Sequence, residues 1–256
     1  MLQRILEPEV MDDTAEAAAY DAMDHTQPNT AFVQRLIDLG IDRCKNALDL
    51  GTGPGDIPIL LCQAVSTVGW PGMSQSEPPE QTGVDISQAL RSGGSPSLHP
   101  GHPKMIAVDL AQSMINLAQN KIAEAGLNNR ITLAKMDVKK LDLPDDSFDA
   151  LFSNTILHHI PEPGAMLTEA ARVLKPGGLL LIRDLYRPKS IEQLNALVDQ
   201  HAGGCDGDQR KLFAESLHAA LTPDELRELA QANGLADADV VIDTDRHMSL
   251  QRVPRD

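Results

Sequence analysis

Several protein classes are excluded by what this chain lacks. Its 256 residues hold three cysteines, Cys44, Cys62 and Cys205. They are too few and too scattered for a disulfide framework or a zinc cluster, so no metal is expected from them. Positive charge is scarce: 22 Lys and Arg stand against 37 Asp and Glu, a formal net charge of −15. A duplex-binding protein carries a basic stripe to meet the phosphates, and none is visible, so nucleic acid is not an expected partner. The same acidity argues against docking on an anionic membrane. No run of about eighteen apolar residues exists to span a bilayer. The opening MLQRILEPEV has no apolar signal core. The expectation is a soluble, cytoplasmic protein of a reducing compartment, its oligomeric state open.

What is present is an ordinary globular composition, 42% apolar and 23% charged, enough for one large α/β domain or two small ones. Residues 1–45 read as an N-terminal helical cap, with Val33, Leu36 and Ile37 at helical spacing and Gly40 as the stop. From residue 46 to 256 strand and helix alternate. NALDL, MIAVD, RITLAKMD, FDALFSN and LLLIRD read as strands, with helical spacing over 57–65, 114–125 and 165–174. Two helices follow the fifth strand, the second opened by the capping box Thr222-Pro223-Asp224-Glu225. DVVIDTD and HMSLQRV end the chain as strands. Such alternation predicts a mainly parallel sheet. Residues 66–104 break the pattern. They are rich in Pro, Gly and Ser and longer than connections usually are in a compact domain, so composition favours a disordered insertion.

The first strand runs into ALDLGTGPGDIPI, where Gly51, Gly53 and Gly55 crowd five positions. Ligands in an open parallel sheet sit at the carboxyl ends of strands, and glycines there let backbone N–H groups come close. A dinucleotide fingerprint needs Gly or Ala where Asp56 stands, and a phosphate-binding Walker loop needs a Gly-Lys-Ser/Thr that is absent. Two flanking acids, Asp49 and Asp56, suit a cationic ligand better than a phosphate.

These residues resemble motif I of the class I S-adenosylmethionine-dependent methyltransferases, whose cofactor carries a sulfonium and an ammonium. Further stretches are similar at the expected places: IAVDLAQSMINLAQ, AKMDVKKLDLPDDSFDALFSNTILHHI and ARVLKPGGLLLIRD, over roughly residues 20–185. The nearest subgroup is the type 11 set, which includes small-molecule methylases such as those for quinones. The resemblance implies a Rossmann-like, seven-stranded, mainly parallel sheet with helices on both faces and an antiparallel last strand. It implies S-adenosyl-L-methionine held by Asp49, Gly51, Thr52, Gly53 and Gly55. Asp109, with Leu110, would take the ribose, Asp137 and Val138 the adenine. Ser153 and Asn154 would border the transferred methyl, and Tyr20, with His25, would close a lid. Asp85, in GVDISQAL within the insertion, is the rival to Asp109, and the longer apolar run-in favours Asp109.

The implied function is methyl transfer to a small-molecule acceptor. His158 and His159 are the catalytic candidates, as base or as substrate orienters, against the alternative of plain packing. Arg183, with Arg246, could hold an anionic substrate group, against the alternative of a structural Arg–Asp pair. Two other readings stand beside this one. RNA methylation is disfavoured by charge and by SNTI standing where an N-P-P-Y loop would be. A non-catalytic cofactor-binding module would need an apolar plug where His158 and Arg183 stand.

Overall fold

The computed structural model describes residues 2–7, 12–68 and 104–255. Trp70, Asp85 and nearly all of the 66–104 segment lie outside the described residues. The strands are β1 (Asn46–Leu50), β2 (Lys104–Asp109), β3 (Ile131–Lys135), β4 (Phe148–Asn154), β5 (Leu174–Leu185), β6 (Asp239–Ile242) and β7 (His247–Arg252). They form one seven-stranded sheet in the order β3-β2-β1-β4-β5-β7-β6. β1 to β5 pair in parallel, and β7 runs antiparallel to both β5 and β6. The expected fold class holds, including the closing hairpin.

Helices α1 (Thr14–Asp21), α2 (Thr26–Asp38), α3 (Asp56–Val68) and α4 (Gln112–Glu124) precede β3. Helices α5 (Pro163–Val173), α6 (Ile191–Ala202), α7 (Gly207–Ala219) and α8 (Pro223–Ala232) come later. The sheet is buried on both faces, which is why its strands read as continuous apolar runs. Alternation sorts the residues: Leu48, Leu50, Leu151, Leu180 and Ile182 join a core with Met166 and Leu167 of α5 and Leu226 of α8. Their neighbours Ala47, Ala150, Phe152, Leu179 and Leu181 join the opposite core, with Phe32 and Leu36 of α2 and Leu61 of α3. Cys44 and Cys62 pack into that second core. Phe32 meets Phe152 edge-on with ring centroids 6.2 Å apart, so the segment before β1 contributes to the sheet's own packing.

One expectation is corrected. Three helices, not two, lie between β5 and β6, because α6 stops at Ala202 and α7 begins at Gly207. Each half has its own N-cap: Ser190 accepts from Gln193 N–H, and Asp206 forms a reciprocal capping box with Gln209.

β1 is flanked by β2 on one side and β4 on the other, so successive connections leave the sheet in opposite directions at its carboxyl edge. That is the place where an open α/β sheet forms its ligand crevice. The register puts Asp49 level with Ala107 and Phe152, and Leu50 level with Val108. The glycine loop, the end of β2 and the end of β4 therefore meet at one point.

Candidate active site

The loop after β1 is anchored by its own backbone. Gly51 and Thr52 N–H both donate to the Val108 carbonyl at 2.9 Å. Gly53 N–H donates to Asp109 Oδ2 at 2.8 Å, and Ala111 N–H to Asp109 Oδ1 at 2.9 Å. Asp109 is thus fixed by the loop it faces, with lone pairs left on both oxygens. Burial raises its pKa. Gly51 has φ +72, and a Cβ there would lie 2.6 Å from two carbons of Ile156. Gly53 has φ +55 and nothing within 4 Å of a Cβ position, so an open cradle lies over the loop. Gly55 would bring a Cβ to 3.0 Å from that of Ala118.

Beneath the cradle Asp49 is 2% exposed. Its Oδ2 and the Thr52 hydroxyl are buried without a hydrogen-bond partner among the described residues. Burial pushes the Asp49 carboxyl up to about 7; the Thr52 hydroxyl beside it acts the other way, and the charge of Asp109 adds to the rise. A buried, unpartnered carboxyl is costly and asks for a cationic or donor group. The other expected loop acid is spent elsewhere. Lys121 Nζ lies 2.5 Å from Asp56 Oδ1 and 2.7 Å from Asp21 Oδ1, tying α1, α3 and α4 together. Asp56 is therefore engaged by Lys121, while Asp49 and Asp109 lie beside the loop without a basic partner among the described residues. These Lys121 contacts are part-exposed, so Lys121→Ala is expected to cost no more than about 1 kcal/mol in urea unfolding.

Tyr20 stacks on His25 with ring centroids 4.6 Å apart. Burial pushes its hydroxyl up to about 12, with Asp56, Asp109 and Asp21 acting in the same direction. It sits beside the end of β2, where Ala17 of α1 packs on Ala111 and Met114. Leu110 follows β2 directly. Met136 N–H donates to the Asp109 carbonyl at 3.0 Å, bringing the end of β3 to the same edge. Asp137 there turns to Lys139, accepting from its N–H at 2.9 Å and facing its Nζ at 3.0 Å. Val138 packs into the core. Ser153 is fully buried and donates to the Leu50 carbonyl at 2.8 Å, a bridge from β4 to β1. Asn154 Oδ1 accepts from Arg183 Nε at 3.1 Å. Thr155, which follows, holds φ +66, a left-handed conformation uncommon for a branched residue.

Arg183 is turned inward. Beyond Asn154 it donates to the Pro28 carbonyl at 3.1 Å, and its guanidinium lies 5.1 Å from the Phe32 ring centroid. Arg246 Nη1 is engaged by His201 at 2.9 Å and Asp245 at 3.2 Å. Between them His247 is pushed down to about 3 by burial, with the positive charges of Arg183 and Arg246 adding. A structural Arg–Asp pair of the kind anticipated forms between Arg246 and Asp245, while Arg183 and Asp184 turn to other partners. Asp184 Oδ1 lies 2.5 Å from His158 Nδ1, and its Oδ2 accepts from His158 N–H at 2.9 Å. His158 is 3% exposed, and its Nε2 faces Glu7 Oε1 at 3.3 Å. His159 Nδ1 reaches the same Glu7 oxygen at 2.9 Å.

Sequence reasoning missed Arg4 and Glu7. Arg4 donates to the carbonyls of Ala219 at 2.6 Å, Ile160 at 2.9 Å and Pro161 at 3.2 Å. No periodicity marks residues 2–7, so nothing local signalled that they reach the far side of the sheet edge.

This geometry has relatives. The model of a family described as a methyltransferase domain matches residues 92–182, from before β2 into β5. The demethylmenaquinone methyltransferase of Bacteroides fragilis is 26% identical over 186 residues, 67% of this chain and 58% of that protein. The chain is similar to class I S-adenosylmethionine-dependent methyltransferases over this region. The match spans well under two thirds of the Bacteroides relative's length. A solved S-adenosylmethionine-dependent methyltransferase from Aquifex aeolicus shares the fold at a TM-score of 0.61 and 18% identity, covering 95% of this chain and 99% of its own. A phosphoethanolamine methyltransferase of Haemonchus contortus, solved with phosphomonomethylethanolamine and S-adenosylhomocysteine, aligns at a TM-score of 0.56 and 17% identity, over 89% of this chain and 43% of its own. Among the described residues, no helix is long and apolar enough to cross a membrane.

Proposed function

We propose that this chain transfers a methyl group from S-adenosyl-L-methionine to a small-molecule acceptor. The observation that carries the reading is the buried pair beneath the cradle, Asp49 and Thr52, whose polar atoms make no well-aligned hydrogen bond among the described residues and interact only with each other, with open space above Gly53. A cationic, hydroxyl-rich ligand satisfies both carboxylates, and a pyrophosphate would meet two negative groups. Asp49 and Thr52 hold the amino-acid end, the 51–55 backbone lines it, and the free lone pairs of Asp109, beside Leu110, accept from ribose hydroxyls. Asp137 and Val138 border the adenine, and Tyr20 covers the site. When bound, the cofactor supplies a methyl already activated by its sulfonium. The chain's work is then to align an acceptor at Ser153 and Asn154 and to keep water out. Arg183 holds Asn154 in place. His158 and His159, both engaged by Glu7, shape the acceptor end.

Calorimetry tests the reading. S-adenosylmethionine is expected to bind at micromolar level and NAD not to bind; tighter NAD binding overturns it. Asp109→Ala is expected to weaken cofactor binding by about 1.5–3 kcal/mol, the range for hydrogen bonds to a charged group.

Asp49 also sets a pH dependence. The ionised form is the one that meets a cationic ligand, so affinity should fall as pH drops through about 7. Below that point each unit costs about tenfold. For the ligand-free protein the sign is opposite. A folded pKa above the unfolded value means the native state holds the proton more tightly, so this group's contribution to stability declines from about pH 4 to about 7 and is level above. Calorimetric titrations at several pH values should show the slope, and Asp49→Asn should flatten it.

A further inference from the structure

We propose that Glu7, His158 and His159 form a binding site for one divalent transition-metal ion of the zinc type, which clasps residues 2–7 to the loop after β4. Their three donor atoms lie within 4.8 Å of one another. Glu7 Oε1 is 3.3 Å from His158 Nε2 and 2.9 Å from His159 Nδ1. A tetrahedral ion with bonds of about 2.0–2.1 Å sets its ligand atoms about 3.3–3.4 Å apart, so the two spacings approach those of a filled site.

The hydrogen-bond pattern favours an ion over a shared proton. Glu7 Oε1 is buried and has no hydrogen-bond partner among the described residues, although two ring nitrogens stand close to it. His158 Nδ1 is committed to Asp184 Oδ1 at 2.5 Å, which fixes the neutral tautomer with its Nε2 lone pair facing Glu7. A lone pair and a carboxylate oxygen face each other comfortably only with a cation between them.

The supporting contacts are those of a metal centre. Asp184 on His158 is the carboxylate that orients a ligating imidazole and strengthens it as a base. Asp184 is itself held by the N–H groups of His158 at 2.9 Å and Leu185 at 2.6 Å. Ser216 donates to Glu7 Oε2 at 3.2 Å, which leaves Oε1 as the single ligating atom. Arg4 fixes the turn from the other side, through the His158 carbonyl at 3.4 Å and the Ile160 carbonyl at 2.9 Å. Two imidazoles and one carboxylate suit zinc, and three protein ligands leave a fourth position for water. His159 is part-exposed and gives the ion a way in.

The test uses the full chain without cofactor, so its outcome is independent of the methyl-transfer reading. Protein stripped with a chelator is titrated with zinc by calorimetry and with cobalt(II) by visible absorption. The expected result is one ion per chain, with the intense bands of tetrahedral cobalt and a raised thermal midpoint in zinc. Glu7→Gln and His159→Ala should each weaken binding by at least about 100-fold, and Ser216→Ala by about tenfold, since supporting contacts are worth about 10–100-fold. Glu7→Gln and His159→Ala alter an oxygen and a part-exposed ring, so both are expected to fold. Absence of a one-to-one ion, or equal affinity in both variants, overturns the proposal and leaves a proton as the cation of the cluster.

Discussion

Gly51→Val is expected to abolish cofactor binding, with a loss beyond about 100-fold in calorimetry. Two independent effects act at that position. The backbone sits at φ +72, where a β-branched residue is strained by roughly 1–3 kcal/mol. The new Cβ would also stand 2.6 Å from two carbons of Ile156, whose side chain is wedged beneath the loop. Either the loop swings away from Val108, carrying Thr52 and Gly53 with it, or Ile156 leaves its place under β1. Both movements undo the cradle. Gly53→Ala separates ligand space from fold. Its Cβ meets nothing within 4 Å in the protein, so the stability cost is only the backbone strain of a left-handed residue at φ +55, about 1–2 kcal/mol. The methyl would project into the cradle, so affinity should still fall. If Gly53→Ala binds S-adenosylmethionine as the parent does, the cradle is not where the cofactor lies.

How much of this was legible depends on the range of each interaction. The strands could be read because both faces of the sheet are buried, leaving apolar runs such as LLLI in β5 with no polar gap. The glycine loop could be read because three residues at positive φ need glycine locally. The break between α6 and α7 is also local, marked by the cap at Asp206, although the sequence reads as a single helical stretch there. What sequence could not show was which charge answers which. Asp56 looked like a ligand acid, but its neutralising partner, Lys121, comes from a different helix. Arg183 and Asp184 are neighbours in sequence, yet alternate residues of a strand face opposite ways. Arg183 turns to α2 and Asp184 to His158. Residues 2–7 carry no pattern, and their partners lie more than 150 positions away, as Arg4 with Ile160. Metal ligands drawn from such distant places leave no spacing motif to find.

His158→Ala is expected to give the largest stability change of any single substitution at the sheet edge. In the parent, His158 and Asp184 are each 3% exposed in their side chains and lie 2.5 Å apart. Removing the imidazole leaves Asp184 buried and strips Glu7 Oε1 of its inner neighbour. Breaking a buried pair from one side costs about 3–5 kcal/mol, because the remaining charge keeps its desolvation penalty and loses its partner. Asp184 still accepts from two backbone N–H groups, which places the expected loss near the low end, about 3 kcal/mol. At about 2–4 °C per kcal/mol for a chain of this size, the midpoint in chelator-treated protein should drop by about 6–12 °C. A double-mutant cycle isolates the cause. If the unpaired carboxylate is responsible, adding Asp184→Ala to His158→Ala should cost much less than Asp184→Ala costs alone. Additive losses would mean that the ring contributes by filling space between Glu7 and the end of β5, and that the His158–Asp184 contact carries little of the energy.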